Sequence, residues 1–281
     1  EASAEVMDVL RNYSDEGRVR RASIDEAYIE VTDLVQDYEG PYSLAQTIQG
    51  EVLLRTKLPC SIGVAPNMSV AKIATGMNKP LGITLVGQNP EAVLRFLAPL
   101  PVDALNGVGD KTAQRLRRYE IETLGQIHEM TITDLWPMMG RGSRWLYNRA
   151  HGIDDRPLLD NGLRTRKSIS KDFTFMEDVE PEAVDYLHGT ITKMCSRIGD
   201  RLRKKSLRFR TVTVKMRYAD YSTIQRSKSI PVETDDQEML QQLAVEIFDR
   251  KRDPHKYLRL IGVKVSGLSE RGTQATLTEF F

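Results

Sequence analysis

Two adjacent carboxylates, Asp25 and Glu26, stand in the run Ser23-Ile24-Asp25-Glu26-Ala27-Tyr28, whose other residues read as strand formers. Side chains alternate across an extended strand, so neighbouring acids converge on one ion only at a strand end, a turn or a bulge. Oxygens gathered there suit hard, octahedral Mg²⁺, which is usually held by one or two carboxylates together with substrate phosphates. The alternative is a pair of solvated surface acids, and the dipeptide alone does not separate the two. A second constellation is Leu105-Asn-Gly-Val-Gly-Asp-Lys-Thr-Ala-Gln-Arg-Leu116, which reads as a helix-hairpin-helix. Gly107, Val108 and Gly109 permit a tight turn whose backbone N–H groups, at the start of the next helix, can hold a phosphate. Ala113 and Leu116 follow at core spacing, as they would in an ordinary interhelical turn too. Asn106 stands where such hairpins often carry Pro, and Pro101 is placed to open the preceding segment as a first-turn proline. A weaker hairpin, Met139-Gly-Arg-Gly-Ser-Arg-Trp-Leu146, follows with Arg141 and Arg144.

The elements around these residues are mixed. Thr211-Val-Thr-Val-Lys-Met-Arg-Tyr218 alternates strictly, with Val212, Val214, Met216 and Tyr218 on one face and Thr211, Thr213, Lys215 and Arg217 on the other, a half-buried strand with a basic outer face. A second strand near Ser222–Pro231 carries Arg226 and Lys228 two apart, hence on one side. A strand near Ser168–Phe175 and a helix from Pro181 precede them, with Val184, Leu187, Ile191, Met194, Ile198 and Leu202 at spacings of three or four. A helix through Leu240, Leu243, Ile247 and Phe248 and a strand through Leu258–Val265 complete the order βαββαβ. The fold class is therefore α+β. Between the halves, Asp154 to Lys167 has turn formers and no helical period, and reads as a tether.

Charge is segregated along this order. Residues 1–60 hold 12 acidic and 6 basic side chains, whereas 196–228 hold 11 basic and 2 acidic, although the whole chain nets only +1. A basic second half suggests a surface that faces phosphates, and a solvated face is the plainer alternative.

The run Ser23–Tyr28, followed by Ser61-Ile-Gly-Val64, Val70-Ala-Lys-Ile-Ala74 and Asn78-Lys-Pro-Leu-Gly-Ile83, resembles Y-family DNA polymerases of the DinB type. The resemblance runs nearly end to end. It implies a partial polymerase palm over 1–86, a small helical thumb with the helix-hairpin-helix over 87–153, a linker over 154–166 and a βαββαβ little finger over 167–267. In that family the acid pair closes a palm hairpin and binds two catalytic Mg²⁺ ions, and the Lys of the Lys-Pro pair contacts the nucleotide triphosphate. Carried over, Asp25 and Glu26 are the catalytic and metal-binding acids and Lys79 binds the nucleotide. The hairpin Gly107, Val108 and Gly109, and Ser168, Lys171, Arg226, Lys228 and Arg259 of the little finger, take DNA phosphates. Phosphate contacts position DNA without reading its sequence, as copying any template requires. Lys72, seven residues before Lys79, has two readings, approach to the primer or packing of its stem over the palm, and Tyr28 reads as core. The family's earlier palm Asp, its nucleotide-gating aromatic and its fingers have no match here, so the chain is expected to begin inside the palm.

The tail, Gln274-Ala-Thr-Leu-Thr-Glu-Phe-Phe281, fits a sliding-clamp peptide: Gln, an aliphatic three on, then two aromatics. One helical turn would bring Leu277, Phe280 and Phe281 to one side as an apolar plug, with Gln274 supplying amide hydrogen bonds. The doubled Phe resembles peptides for the archaeal and eukaryotic ring clamp. The other reading is a terminus folded back on its own domain.

Composition is ordinary for a globular enzyme at 281 residues, 40% hydrophobic and 28% charged. No apolar run approaches membrane-spanning length, and the expected setting is cytoplasmic and nucleoid-associated, or nuclear in a eukaryote. Cys60 and Cys195, and His128, His151, His188 and His255, lack metal-ligand spacing, which sets zinc aside. The expected function is template-directed, low-fidelity DNA synthesis past damage by a monomer. Its partners are primer-template DNA, dNTP and the clamp. The rival is a catalytically incomplete, clamp-associated DNA-binding module; a helix-hairpin-helix nuclease explains the acids but not the βαββαβ module. For a chain starting inside the palm the expectation is DNA and clamp binding with little synthesis.

Overall fold

A computed structural model describes residues 2–158 and 166–270, which fall in two compact units. The first opens with α1 (Ala2–Asn12), then β1 (Val19–Arg21) and β2 (Ala27–Ile29), which pair antiparallel with Arg21 opposite Ala27. Next come α2 (Pro41–Thr56), β3 (Ile62–Val64), α3 (Met68–Met77) and β4 (Ile83–Leu85), with β3 and β4 pairing parallel. Val9, Leu44, Ile48 and Val52 form the core between α1 and α2. Asn67 fixes the start of α3 from both sides. Its side-chain oxygen accepts from Val70 N–H at 3.1 Å, and its amide nitrogen donates to the Gly152 carbonyl at 2.7 Å.

The remainder of this unit is helical: α4 (Pro90–Leu97), α5 (Asp110–Arg117), α6 (Leu124–His128), α7 (Ile132–Met139) and α8 (Ser143–Ala150). A Thr131–Asp134 capping box opens α7. One hydrophobic cluster takes in Val70, Ile73, Ala74 and Val86 with Leu97, Leu116, Leu135 and Leu146, so residues on either side of position 86 share a core. Pro101 does not start a helix as expected. It bridges to Thr123 and caps a single 3₁₀ turn, Val102–Ala104. Asp154 and Arg156, read from sequence as part of a tether, pack onto this unit, and Asp154 is buried.

The second unit contains β5 (Ser168–Val179), α9 (Val184–Lys204), β6 (Leu207–Tyr218), β7 (Thr223–Thr234), α10 (Gln237–Lys251), β8 (Leu258–Ser266) and β9 (Ser269–Glu270). The βαββαβ order is present, and a short β9 adds to β6. Strand order is β5-β8-β6-β7, all antiparallel. Val212, Val214, Met216, Ile261, Val263 and Val265 face α9 and α10 and are buried with Leu187, Ile191, Leu240 and Phe248. The opposite face is rich in hydroxyls: Thr211 and Thr213 pair through their side chains with Ser229 and Ser227, each at 2.9 Å.

Candidate functional site

The acid pair lies where strand geometry required, in the turn between β1 and β2. Ala22 and Ser23 N–H both donate to the Glu26 carbonyl, at 2.9 and 3.1 Å, which closes the turn and holds Asp25 and Glu26 at its exit. The Ser23 hydroxyl donates to Asp25 Oδ1 at 2.5 Å. That bond and then the turn's own backbone N–H hold the Asp25 carboxyl below its ordinary 3.8 against the opposing effect of burial, with the charges of Lys72 and Lys79 adding the least. Glu26 meets Lys72 of α3 in a direct ion pair, so Lys72 neither lies free nor merely packs its stem. Of the lysines after the acids, Lys72 joins Glu26 directly, while Lys79 stands in the exposed turn that follows α3.

Among the described residues no group of three or more His, Cys, Asp or Glu surrounds one point. The donors on offer are two carboxylates, one held ionised and exposed, with neither thiol nor imidazole beside them. Such an oxygen set fits a hard divalent cation. Tyr28, expected in the core, belongs to no core cluster. It is half-buried beside Lys72 and Arg156, and burial pushes its hydroxyl above the ordinary value of 10.0.

The helix-hairpin-helix region forms from the 3₁₀ turn Val102–Ala104, the loop and α5. Gly107 adopts φ +115°, and Val108 N–H turns back to the Leu105 carbonyl at 2.9 Å while its side chain enters the core. Gly109 caps α5, its carbonyl accepting from Thr112 and Ala113 N–H at 2.9 Å each, which leaves the N–H groups of Asp110 and Lys111 at the helix start. The second hairpin, α7 to α8 through Gly140–Gly142, packs Trp145 against Gly107.

Register divides the residues carried over to the second unit. Ser168 lies on the open sheet face, opposite Ser266, with Thr211 across from the same residue. Lys171 pairs with Val263, and Arg226 and Lys228 pair with Val214 and Val212, so these three point to the side that bears the helices, at the two edge strands β5 and β7. Lys228 there meets Glu246 of α10 at 2.7 Å. Arg259 occupies the bulge of β8, over the Tyr221 ring at 4.9 Å and 3.6 Å from Asp178. The open face instead carries Lys215, Arg217 and Lys264, and Lys215 is paired with Asp172. Gln274, Leu277, Phe280 and Phe281 lie outside the described residues.

Sequence reasoning missed Arg149, Asp154 and Arg156. The Asp154 side chain is buried; it accepts from Arg156 Nε and Nη2, both at 2.7 Å, and forms an ion pair with Arg149 Nη1 at 2.9 Å. The visible signal was an acid within reach of two arginines just after α8, where the chain had read as a tether.

A family model described as "impB/mucB/samB family" matches residues 1–76, and one described as "impB/mucB/samB family C-terminal domain" matches residues 166–277. The DNA polymerase IV of Methanoculleus marisnigri is 38% identical over 280 residues, which is 99% of this chain and 75% of that protein. The DNA polymerase IV of Streptococcus mutans serotype c is 34% identical over 275 residues, 95% of this chain and 70% of that protein. Among solved structures, a Y-family DNA polymerase chimera of Dbh and Dpo4 has a TM-score of 0.78 and 26% identity, over 96% of this chain and 76% of that one. An insertion ternary complex of Dbh DNA polymerase has a TM-score of 0.57 and 25% identity over the same shares.

Proposed function

This chain belongs to the Y family of DNA polymerases, in its DinB branch, and from that membership we propose that it adds deoxynucleotides to a primer 3′ end on damaged as well as intact templates. The observation that carries the reading is the ion pair of Lys72 with Glu26 beside Asp25 in the β1–β2 turn. Two carboxylates beside a lysine suit a reaction in which a negatively charged triphosphate must meet a hydroxyl.

Asp25 and Glu26 would hold the two Mg²⁺ ions. When bound, Mg²⁺ supplies activation of the attacking 3′ oxygen and neutralisation of the leaving pyrophosphate. The Ser23 hydroxyl keeps Asp25 ionised and oriented as a ligand. Lys79 places its charge against the departing phosphates, and Lys72, once released from Glu26, is free to meet phosphate as well. The hairpin amides of Gly107 and Gly109 hold the DNA backbone, Val108 N–H being taken by the Leu105 carbonyl, and on the second unit Ser168 and Arg259, with Lys171, Arg226 and Lys228 at the edge strands, do the same. None of these contacts reads a base, which suits a tolerant enzyme. The tail Gln274, Leu277, Phe280 and Phe281 docks on a ring-shaped sliding clamp and raises the effective concentration of DNA.

Primer extension with Mg²⁺ tests the reading. A protein that carries this chain together with the family's fingers and earlier palm Asp is expected to extend a primer, and Glu26→Ala in it to lose at least about a hundredfold in rate, the scale at which one transition-state charge partner acts, with unchanged DNA affinity; residues 1–281 alone are expected to bind DNA with little synthesis. Extension by Glu26→Ala at the parental rate overturns the site. Tight DNA binding with no extension by that longer protein favours the binding-module reading instead.

A further inference from the structure

The 11 basic residues of 196–228 do not all face the open side of the sheet. Arg197, Arg201 and Lys204 lie on α9, and Lys193, one turn earlier, extends their line; all four are exposed. At about 100° per residue the four fall within about 80° of the helix circumference, and Tyr186 falls in the same sector. The opposite side of α9 meets α10, where His188 Nε2 lies 2.7 Å from Asp249 and a Cβ at Gly199 would meet Gln237 at 2.9 Å. The stripe therefore runs along the flank that α10 leaves open, beside the edge strand β5, whose Phe175 ring stands 5.8 Å from that of Tyr186.

Two features set this stripe apart from an ordinary solvated helix face. The helix dipole favours cations in the last turn, which accounts for Arg201 and Lys204, but that effect fades within one turn and does not reach Lys193 or Arg197. Like charges four residues apart repel, as Lys193 and Arg197 do, and Arg197 and Arg201. None of the four side chains has an ion pair or hydrogen bond among the described residues, and the acid that borders them, Asp200, is paired with Arg203 at 2.8 Å. Gly189 stands one turn before Lys193, exposed, and a Cβ there would meet nothing within 4 Å. A glycine inside a helix is destabilising, and packing does not require this one. It leaves bare backbone where an extended partner can come close.

Cations about 6 Å apart along about 16 Å of helix match a linear, regularly charged polymer. At the start of the stripe Tyr186 and Phe173 are 56% and 43% exposed, with the Phe175 ring between them, 5.2 Å from that of Phe173. A cationic track beside exposed rings binds single strands, with phosphates on the cations and unpaired bases stacked on the rings. A duplex keeps its base faces stacked and an acidic peptide has none, so a single strand is the polyanion that uses both parts. We infer that Lys193, Arg197, Arg201 and Lys204, with Tyr186 at their start, form a binding track for single-stranded DNA on the outer flank of α9. The polymerase reading assigns nothing to this flank, and unpaired template is a strand that template-directed synthesis supplies.

Fluorescence anisotropy of the whole chain with an oligo-deoxythymidine strand and with a blunt hairpin duplex tests this. The unaltered protein should bind both. Lys193→Gln combined with Arg197→Gln should weaken the single strand at least about tenfold and make its log–log salt slope shallower by about 1.4, two contacts of about 0.7 each, while duplex affinity holds within about twofold. Tyr186→Ala should weaken the single strand about tenfold at unchanged salt slope, since stacking releases no counterion. Removing like charges spaced four apart should raise Tm if it moves it, so a loss of binding in the double variant is not a loss of fold. Equal losses for strand and duplex overturn the single-strand assignment, as does parental binding by Tyr186→Ala. Displacement of the strand by poly-glutamate at equal charge makes the stripe a general polyanion face and overturns it too. No loss in any α9 variant, or no binding of the strand by the unaltered protein, overturns the track, while the polymerase reading still stands or falls on the acid turn.

Discussion

Lys72 of α3 forms an ion pair with Glu26 of the β1–β2 turn, a contact between residues 46 positions apart in the chain. The pair ties the helix that precedes Lys79 to the acids, and it puts a protein cation where a metal is proposed to bind. Both side chains are about a third or more exposed, so water screens the pair. Lys72→Met should therefore cost less than about 1 kcal/mol in a urea melt. It should also lower the Mg²⁺ concentration that half-shifts the Glu26 carboxyl NMR signal, by about twofold to fivefold, because the ion no longer competes with the ammonium. An unchanged or raised midpoint would separate Glu26 from the metal.

Gly107 and Gly109, two residues apart, answer the same substitution differently. Gly107 sits at φ +115°, and an added Cβ would meet Trp145 at 2.8 Å; Gly109 has ordinary φ and open space around it. Gly107→Ala should lose about 1–3 kcal/mol by strain and overpacking, and Gly109→Ala about 0.5–1 kcal/mol, the smaller loss of exchanging a glycine N-cap for alanine. Thermal melts decide this. If Gly109→Ala still weakens DNA binding, the cause is crowding of the helix start where phosphate is proposed to sit, since the fold is unchanged.

Lys228 and Glu246 offer a test on the second unit. The Lys228 ammonium, donating to Glu246 at 2.7 Å, holds that carboxyl below its ordinary 4.5. DNA phosphate at Lys228 must displace Glu246. Glu246→Gln removes the competitor, so binding at low salt should tighten a few-fold and the log–log salt slope should steepen. Weaker binding in that variant would show that Lys228 does not face DNA.

Legibility followed periodicity and broke down where function depended on distant partners. The alternation of Val212 to Tyr218 and the three-and-four spacing of Leu187 to Leu202 record burial against one face, and the βαββαβ unit could be read from them. The acid turn was legible because strand alternation left a turn as one of few places for adjacent acids to converge. Which face Arg226 and Lys228 occupy was not, because it depends on the register of β7 against β6, and register is set by partners distant in sequence. Tyr28 reads as core by residue type, yet it borders a pocket whose other walls lie far along the chain. Asp154 and Arg156 look like a linker by composition. Only their packing after α8 shows an acid buried between two arginines.

That buried acid yields a prediction in pH. Burial raises the Asp154 carboxyl, but the Arg156 hydrogen bonds and the Arg149 charge outweigh it, and the group stays below its ordinary 3.8. A depressed carboxyl stabilises the fold fully above the unfolded value, and the contribution disappears as pH falls through the lower folded value. At pH 7, Asp154→Asn should cost about 3 kcal/mol, the low end for breaking a buried pair, since Arg156 is half-exposed and partly screened. Urea melts of both proteins at falling pH should show that deficit shrinking below pH 3.8, as the parent protonates and loses the same interaction. A deficit constant from neutral pH to well below that value would mean that Asp154 acts through shape rather than charge, and that its arginines are not held by it electrostatically.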